Sequence, residues 1–247
     1  MTGSVRTGED RGGVNYRLHP RWTDPRCTGL IRLRRALESV IERYVAPLKT
    51  PIPERTAVDL GCGTMPYRAL FAPYVGRYVG VDLAGNPDAD LPMDPETCRV
   101  HLPSGTAHIV ISTQVLEHLE TPPVYLAEAH RLCSSDGLLM LSTHGFWPYH
   151  PDPKDYWRWT AEGLRKLLGD NGWKVEELTG VLGLASVSAC LFQDALATRV
   201  PGFLRGVFEV GMQRIAALLD ALDSPKDRAR NAAVFLAVAQ RVKEGQL

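Results

Sequence analysis

Short apolar runs alternate with amphipathic stretches along most of the chain, and this pattern is typical of an α/β protein. Apolar runs bounded by turn residues predict strands buried in a parallel sheet. They lie at residues 57–60, 78–81, 108–112, 138–142, 173–178 and 232–239. With 108–112 counted as the fourth strand, the pattern predicts a Rossmann-like, doubly wound sheet of about seven strands.

The segments around the predicted strands carry helical signals. Apolar side chains recur at helical spacing over residues 28–48, ahead of the first strand. Residues 184–222, between the last two strands, are rich in helix formers and are interrupted by Pro201 and Gly202. We therefore expect an N-terminal helix and a helical insertion before the last strand. The chain is predicted to form one domain over residues 28–247, preceded by a mobile arm at residues 1–27.

Composition narrows the classes of partner. The 28 basic and 28 acidic residues cancel, so net charge gives no electrostatic footprint for nucleic acid or for an anionic membrane. The five cysteines are odd in number and form no CxxC pair, which favours a reducing cytoplasm over a disulfide framework. The apolar run at 181–192 is shorter than the roughly 20 residues that span a bilayer. We expect a cytoplasmic protein with a small-molecule partner, no nucleic acid and no transmembrane segment.

A glycine turn follows the first predicted strand, in the sequence AVDLGCGT from Ala57 to Thr64. In an open α/β sheet, ligands bind beyond the carboxyl ends of the strands, and glycines let a ligand approach the backbone. Gly61 and Gly63 are the candidates for that approach. A Gly-x-Gly turn also occurs for purely conformational reasons, so this motif alone does not identify a ligand.

An acidic residue at the end of the second strand strengthens the case for a ligand-binding site at the glycine turn. Asp82 closes the sequence YVGVD and follows Gly61 by 21 positions, a spacing at which a carboxylate can accept both hydroxyls of a ribose. A dinucleotide site would also need a third glycine to bring a helix onto the pyrophosphate. Met65 and Pro66 stand there instead, so a cofactor without phosphates fits better.

The sequence resembles the class I S-adenosylmethionine-dependent methyltransferases, and in particular a bacterial branch associated with polysaccharide or secondary-metabolite genes. The resemblance rests on VDLGCGTMPYRALF, YVGVD, STQVLEH and WPYHPDPKDYWRWT. It implies S-adenosylmethionine as cofactor, with one set of residues for each part of it. Asp59, Gly61 and Gly63 would line the methionine portion, Asp82 the ribose, Asp94 and Pro95 the adenine, and Thr113, Gln114 and Glu117 the sulfonium end.

The segment Gln114 to His118 also resembles a metal-binding Glu-x-x-Glu-His run of some methyltransferases. Gln114 replaces the first carboxylate, and fewer charged ligands mean a weaker metal site. No metal is therefore predicted, and Glu117 and His118 are expected to pack against the cofactor loop.

The loop after the fifth strand, residues 144–160, combines aromatic, proline and ionisable residues. Such a loop at the ligand-binding edge is suited to form a substrate wall. His150 is the predicted general base, because imidazole titrates near neutral pH; His144 is the rival base, and Asp155 is the third catalytic candidate. The alternative is that these residues only hold the loop in shape.

The sequence thus favours methyl transfer to a small molecule, at an oxygen of a sugar or secondary metabolite, the acceptor class resting on the resemblance. Two alternatives remain: a nicotinamide-dependent oxidoreductase, and a cofactor-binding or scaffold protein without turnover. The insertion at 184–222 is a candidate surface for a homodimer.

Overall fold

The computed structural model describes residues 15–242 and contains one seven-stranded sheet with helices on both faces. The spatial order of the strands is β3-β2-β1-β4-β5-β7-β6. The strands are β1 Thr56–Leu60, β2 Arg77–Leu83, β3 Leu91–Met93, β4 Ala107–Thr113, β5 Cys133–His144, β6 Trp173–Gly183 and β7 Ala232–Arg241. The helices are α1 Cys27–Val40, α2 Arg68–Phe71, α3 Pro122–Leu132, α4 Ala161–Asp170, α5 Leu184–Ala197, α6 Gly202–Asp220 and α7 Pro225–Arg228. The predicted Rossmann-like α/β class is confirmed.

The last strand corrects one part of the prediction, because the sheet is not wholly parallel. β7 runs antiparallel to both of its neighbours, with Ala232 beside Gly183 at the end of β6 and Val234 beside His144 at the end of β5. The cause lies in the connection. For β7 to run parallel to β6, the connection would have to cross back to the edge of the sheet where β6 begins. Instead, α5 and α6 pack together, and the chain re-enters the sheet at the edge where β6 ends.

The core has two halves, one on each face of the sheet, because successive strand residues point to opposite faces. On one face, Val58 and Val110 pack with α3 and α4. On the other face, Ala57 and Ile109 pack with α1, α5 and α6. This sandwich leaves the carboxyl ends of the parallel strands as the open edge at which a ligand binds.

The residues ahead of the first strand include the predicted N-terminal helix. The helix predicted at 28–48 is observed as α1, continued by a π-helical turn over Ile41–Val45. Residues 1–14 of the predicted arm lie outside the described residues, while Leu18 is buried and its carbonyl accepts a hydrogen bond from Arg34 at 2.6 Å. Within residues 15–242, no helix is long and apolar enough to cross a membrane.

Candidate active site

A glycine turn joins β1 to the segment that follows it. The backbone N–H groups of Gly61 and Cys62 both donate to the carbonyl of Val81, at 2.8 and 3.0 Å. Gly61 and Gly63 have φ angles of +73° and +53°, in the left-handed region that favours glycine. Hydrogen bonds to β2 therefore hold the turn in a conformation that few other residues adopt.

The two glycines differ in what surrounds them. A Cβ atom on Gly61 would lie 2.5 Å from Val115, so the turn packs directly against the segment after β4. A Cβ atom on Gly63 would meet nothing within 4 Å. Gly61 therefore lets two elements pack closely, and Gly63 borders open space.

Asp82, at the carboxyl end of β2, is fixed beside the same turn. One carboxylate oxygen, Oδ2, accepts hydrogen bonds from the backbone N–H of Gly63 and from Asn86 Nδ2, both at 2.8 Å. The other oxygen accepts from the N–H of Leu83 at 2.7 Å. Asn86 Nδ2 also donates to the carbonyl of Gly63 at 2.8 Å. Asn86, which the sequence did not single out, thus ties the acid to the glycine turn.

Asp59 lies beneath this turn and is almost completely buried. Its Oδ2 accepts a hydrogen bond from the Tyr78 hydroxyl at 2.7 Å, while its Oδ1 has no hydrogen-bond partner among the described residues. Burial raises the pKa of Asp59 to about 7, although the Tyr78 bond acts in the opposite direction. A buried acceptor of this kind is suited to a cationic or hydrogen-bond-donating group of a ligand.

Asp94 and Pro95 form an exposed turn at the carboxyl end of β3. Oδ1 of Asp94 accepts hydrogen bonds from the N–H groups of Glu96 and Thr97 and from the Thr97 hydroxyl, at 3.0, 2.7 and 2.8 Å. The bonds from Thr97 lower the pKa of Asp94. The structure brings this turn to the expected edge, and its role beside an adenine stays a prediction.

Three further predicted residues lie at the end of β4 and just after it. Thr113 is buried, and Gln114 has a φ angle of +57° while its Nε2 donates to the Ser142 hydroxyl at 3.0 Å. Glu117 is fully buried and accepts a hydrogen bond from the Thr143 hydroxyl at 2.8 Å. These contacts join the segment after β4 to the end of β5.

Glu117 also anchors the loop at residues 144–160. Its carbonyl accepts the N–H groups of Tyr156 and Trp157, at 2.8 and 3.3 Å. Its side-chain Oε1 lies 3.1 Å from Nδ1 of His144, and neither atom has a hydrogen-bond partner among the described residues. The His144 ring stacks on Trp147, with the ring centroids 5.3 Å apart. The loop is thereby folded back over the segment that contacts Gly61.

Three histidines meet at this loop, two of them within it. The ring of His150 lies 5.7 Å from the rings of both His118 and His144, measured between centroids. His118 Nδ1 is 2.6 Å from the carbonyl of Lys154, so this nitrogen is the donor. His118 thus contacts the loop at residues 144–160, and its packing against the cofactor loop stays a prediction.

The two candidate bases differ in basicity. Burial, followed by the positive charge of Arg158, lowers the pKa of His144 to about 3. Burial and the neighbouring His118 also lower the pKa of the half-buried His150. Both imidazoles are therefore neutral at neutral pH, and His150 is more accessible than His144.

Asp155 and Arg158 hold the loop in shape. Arg158 makes two hydrogen bonds to Asp155, at 2.6 and 2.5 Å, and donates to the carbonyls of Trp147 and Pro148. Asp155 also accepts the backbone N–H of His150 at 2.7 Å. The Arg158 bonds lower the pKa of Asp155 to about 2, so the pair stays charged across the neutral range. Asp155 is thus placed to position His150, and Arg158 is a residue that sequence reasoning missed.

Removal of this pair is expected to loosen the loop. In Asp155→Ala the guanidinium of Arg158 and the N–H of His150 both lose their acceptor, at a cost of about 2 kcal/mol or more. For a chain of this length that corresponds to a fall in Tm of about 5 °C. The matched control is Asp170→Ala, which breaks the exposed pair between Lys166 and Asp170 and should cost less than about 1 kcal/mol. Equal falls for both variants, by thermal denaturation, would contradict a special role for Asp155.

No group of three or more His, Cys, Asp or Glu side chains in residues 15–242 is arranged to hold a metal ion. The residues present do fit the organic cofactor that the sequence resemblance implies, S-adenosylmethionine. Gly63 borders open space, Asp59 has an unpartnered oxygen, and Asp82 presents a carboxylate at the edge of β2.

The fold and the residues at the carboxyl ends of β1 and β2 define the class of protein. It is a Rossmann-like protein whose first strand, glycine turn and acid are arranged to bind a nucleoside. The chain belongs to the methyltransferase-domain family, whose model matches residues 30–178, more than half of its length. The chain therefore carries a class I S-adenosylmethionine-dependent methyltransferase domain, as its sequence resemblance implied.

A curated relative agrees with this assignment. A probable S-adenosylmethionine-dependent methyltransferase of Mycolicibacterium smegmatis is 26% identical over 153 residues. The match covers 55% of this chain and 59% of the relative, so the chain spans well under two thirds of that protein.

Solved structures share the fold. Geranyl diphosphate C-methyltransferase of Streptomyces coelicolor, solved with Mg²⁺, geranyl diphosphate and S-adenosylhomocysteine, superposes with a TM-score of 0.54 at 15% identity. The match covers 86% of this chain and 82% of that one. The 1,6-didemethyltoxoflavin N1-methyltransferase of Burkholderia thailandensis gives 0.54 at 15% identity, over 91% and 82% of the two chains. At these identities the likeness establishes the fold alone.

Proposed function

We propose that this protein transfers a methyl group from S-adenosylmethionine to an oxygen of a small molecule, a sugar or secondary metabolite, held under the loop at residues 144–160. One observation carries the proposal: a continuous path of contacts runs from the glycine turn to the histidines. Gly61 packs on Val115, and Glu117 on the same segment contacts His144, whose ring neighbours His150. The cofactor edge and the neutral imidazoles of His144 and His150 are thus joined by successive contacts.

In this proposal the chain's residues bind, orient and deprotonate. Asp59, Gly61 and Gly63 hold the methionine portion of the cofactor, and Asp82 the ribose. Asp94 and Pro95 border the adenine, and Thr113, Gln114 and Glu117 border the sulfonium. The cofactor, when bound, supplies an activated methyl group. Its transfer needs mainly alignment in a dry pocket, with a base for a hydroxyl acceptor.

His150 takes the role of base. It is neutral at neutral pH and half-buried, and its backbone N–H is held by Asp155. A proton leaving the acceptor hydroxyl passes to this imidazole as the oxygen gains the methyl group. His144 is too weak a base at a pKa of about 3 to accept that proton efficiently, so it positions Trp147 and Glu117.

The activity is tested by incubating the full chain with methyl-labelled S-adenosylmethionine and a panel of hydroxyl-bearing sugars and aromatic metabolites. Label in a product, found by mass spectrometry and lost in Asp82→Ala, supports the proposal. Cofactor binding without labelled product across the panel would favour the alternative of a protein without turnover. The nicotinamide alternative has lost its support, because the family match is to methyltransferases and Met65 and Pro66 occupy the place of a third glycine.

The variant His150→Ala is expected to lower kcat by about 100-fold, the usual contribution of a general base. Affinity for S-adenosylmethionine should stay within about twofold, under about 0.4 kcal/mol. Because the pKa of His150 is lowered, the acid limb of the wild-type kcat profile should lie below about pH 6.5, the usual histidine value. His101→Ala, a change at an exposed histidine, is the control and should leave kcat unchanged. Full turnover by His150→Ala at every pH would remove His150 as the base.

A further inference from the structure

The outer face of the helical insertion is apolar where a surface helix is normally polar. On α6, Phe203, Val207 and Leu218 are 85%, 75% and 70% exposed. We call this surface the insertion patch. Its members are Phe192 on α5, Phe203, Leu204, Val207, Ile215 and Leu218 on α6, and Leu222 just beyond it.

The inner face of α6 carries two buried polar residues as well as apolar ones. Gln213 is fully buried and bonds to the backbone N–H of Thr28 at 2.8 Å and to Gln193 at 2.7 Å. Asp220 is also fully buried, with its Oδ2 2.7 Å from Arg32 and 3.2 Å from Arg228. Met212 and Ala216 are buried beside them, so α6 packs on the domain through this face and leaves the apolar side chains of the insertion patch on the opposite one. An exposed apolar surface of this kind marks an interaction site.

The most exposed charges on the insertion are of one sign. Among residues 184–222, all of which the structure describes, the charged side chains of the exposed class are Arg199, Arg205 and Arg214. The three acids are less exposed: Asp194 is paired with Arg26 at 2.8 Å, Asp220 is buried, and Glu209 is partly buried near Arg205. The chain's zero net charge therefore hides a local positive excess around the insertion patch.

We propose that the insertion patch docks on an anionic lipid bilayer. Apolar side chains beside arginines, on a helix lying at the surface, are the features by which amphipathic helices bind the interface of anionic membranes. An open groove of about 440 Å³ shares Leu204 and Val207 with the patch and is otherwise lined by Leu196, Val200, Pro201, Phe208 and Arg199. This groove is apolar with one cationic side chain at its wall, which suits a lipid chain below a phosphate.

A second copy of the chain fits this surface less well. In a twofold-symmetric interface the same patch meets itself. Arg214 lies near the middle of the α6 face, between Val207 and Leu218 along the helix, so pairing of two patches brings like charges together. A lipid surface instead places these arginines at the level of the headgroups, with Arg214 over the Trp22 ring, 5.6 Å from its centroid.

The test is sedimentation of the full chain with vesicles of equal parts phosphatidylglycerol and phosphatidylcholine, and with phosphatidylcholine vesicles alone. We expect binding to the anionic vesicles that is at least tenfold weaker on the neutral ones and that falls at high salt. The double variant Val207→Ser with Leu218→Ser should bind at least tenfold more weakly, and Arg214→Gln should bind more weakly with a smaller salt dependence. Val124→Ser, at an exposed apolar position on α3, is the matched control and should bind as wild type.

Unchanged Tm and S-adenosylhomocysteine affinity in the double variant confirm that it is folded. Two results overturn the proposal. One is a wild-type chain that fails to bind anionic vesicles. The other is a vesicle-free dimer, measured by analytical ultracentrifugation, that the double variant converts to monomer, since the patch would then be covered by a second copy.

Discussion

Replacing Asp82 with alanine is expected to weaken S-adenosylhomocysteine binding at least about tenfold, and about a hundredfold where both ribose contacts are lost. Charge-assisted hydrogen bonds to a carboxylate contribute about 1.5–3 kcal/mol each. The same carboxylate holds the glycine turn through the N–H of Gly63 at 2.8 Å, so the loss acts on the ligand and on its binding loop together. Titration calorimetry of the folded variant measures the effect.

Two companion variants separate these contributions. Asp82→Asn keeps an acceptor for the Gly63 N–H and removes the charge, so it should lose less affinity than Asp82→Ala. Asp88→Ala changes an exposed acid on the same loop and should bind within about twofold of wild type. An Asp82→Ala protein with wild-type affinity would remove Asp82 from the ribose site.

The strand, glycine turn and acid were predictable because each depends only on residues that are close together in the sequence. A short apolar run, a Gly-x-Gly turn and an acid 21 positions later need no knowledge of distant contacts. The antiparallel direction of β7 is different. It depends on α5 and α6 packing into a hairpin, which local periodicity does not reveal.

The loop at residues 144–160 was predictable only as a loop of suitable composition. Its geometry depends on Tyr156 and Trp157 donating to the carbonyl of Glu117, almost forty positions earlier in the chain. Without that contact, no sequence pattern places His118 beside His150. The burial of Gln213 on α6 has the same origin, since its side chain bonds to the backbone N–H of Thr28, 185 positions away.

Replacing Asp59 with asparagine is expected to stabilise the cofactor-free protein and to weaken cofactor binding. The pKa of Asp59 is raised to about 7 by burial, against about 3.9 in an unfolded chain. Between these values the folded protein holds a proton that the unfolded chain has lost, so stability falls as pH rises through this window and stays low above it. Asparagine keeps an acceptor for Tyr78 and removes the titration. We therefore expect a Tm at least about 3 °C above wild type at pH 8, with the difference vanishing as pH approaches 4.

The binding of S-adenosylhomocysteine should change in the opposite sense. If Oδ1 of Asp59 serves the methionine portion, the wild-type carboxyl must lose its proton to bind, and affinity falls below pH 7 by up to about tenfold per pH unit. The Asp59→Asn variant should bind more weakly at pH 8 and show less dependence on pH. Thermal denaturation and calorimetry from pH 5 to 8 measure both effects, with Asp88→Asn as the exposed control. Equal pH profiles of S-adenosylhomocysteine affinity for wild type and Asp59→Asn would show that the buried carboxyl is structural. A group that contacts the ligand cannot change its charge without changing the affinity.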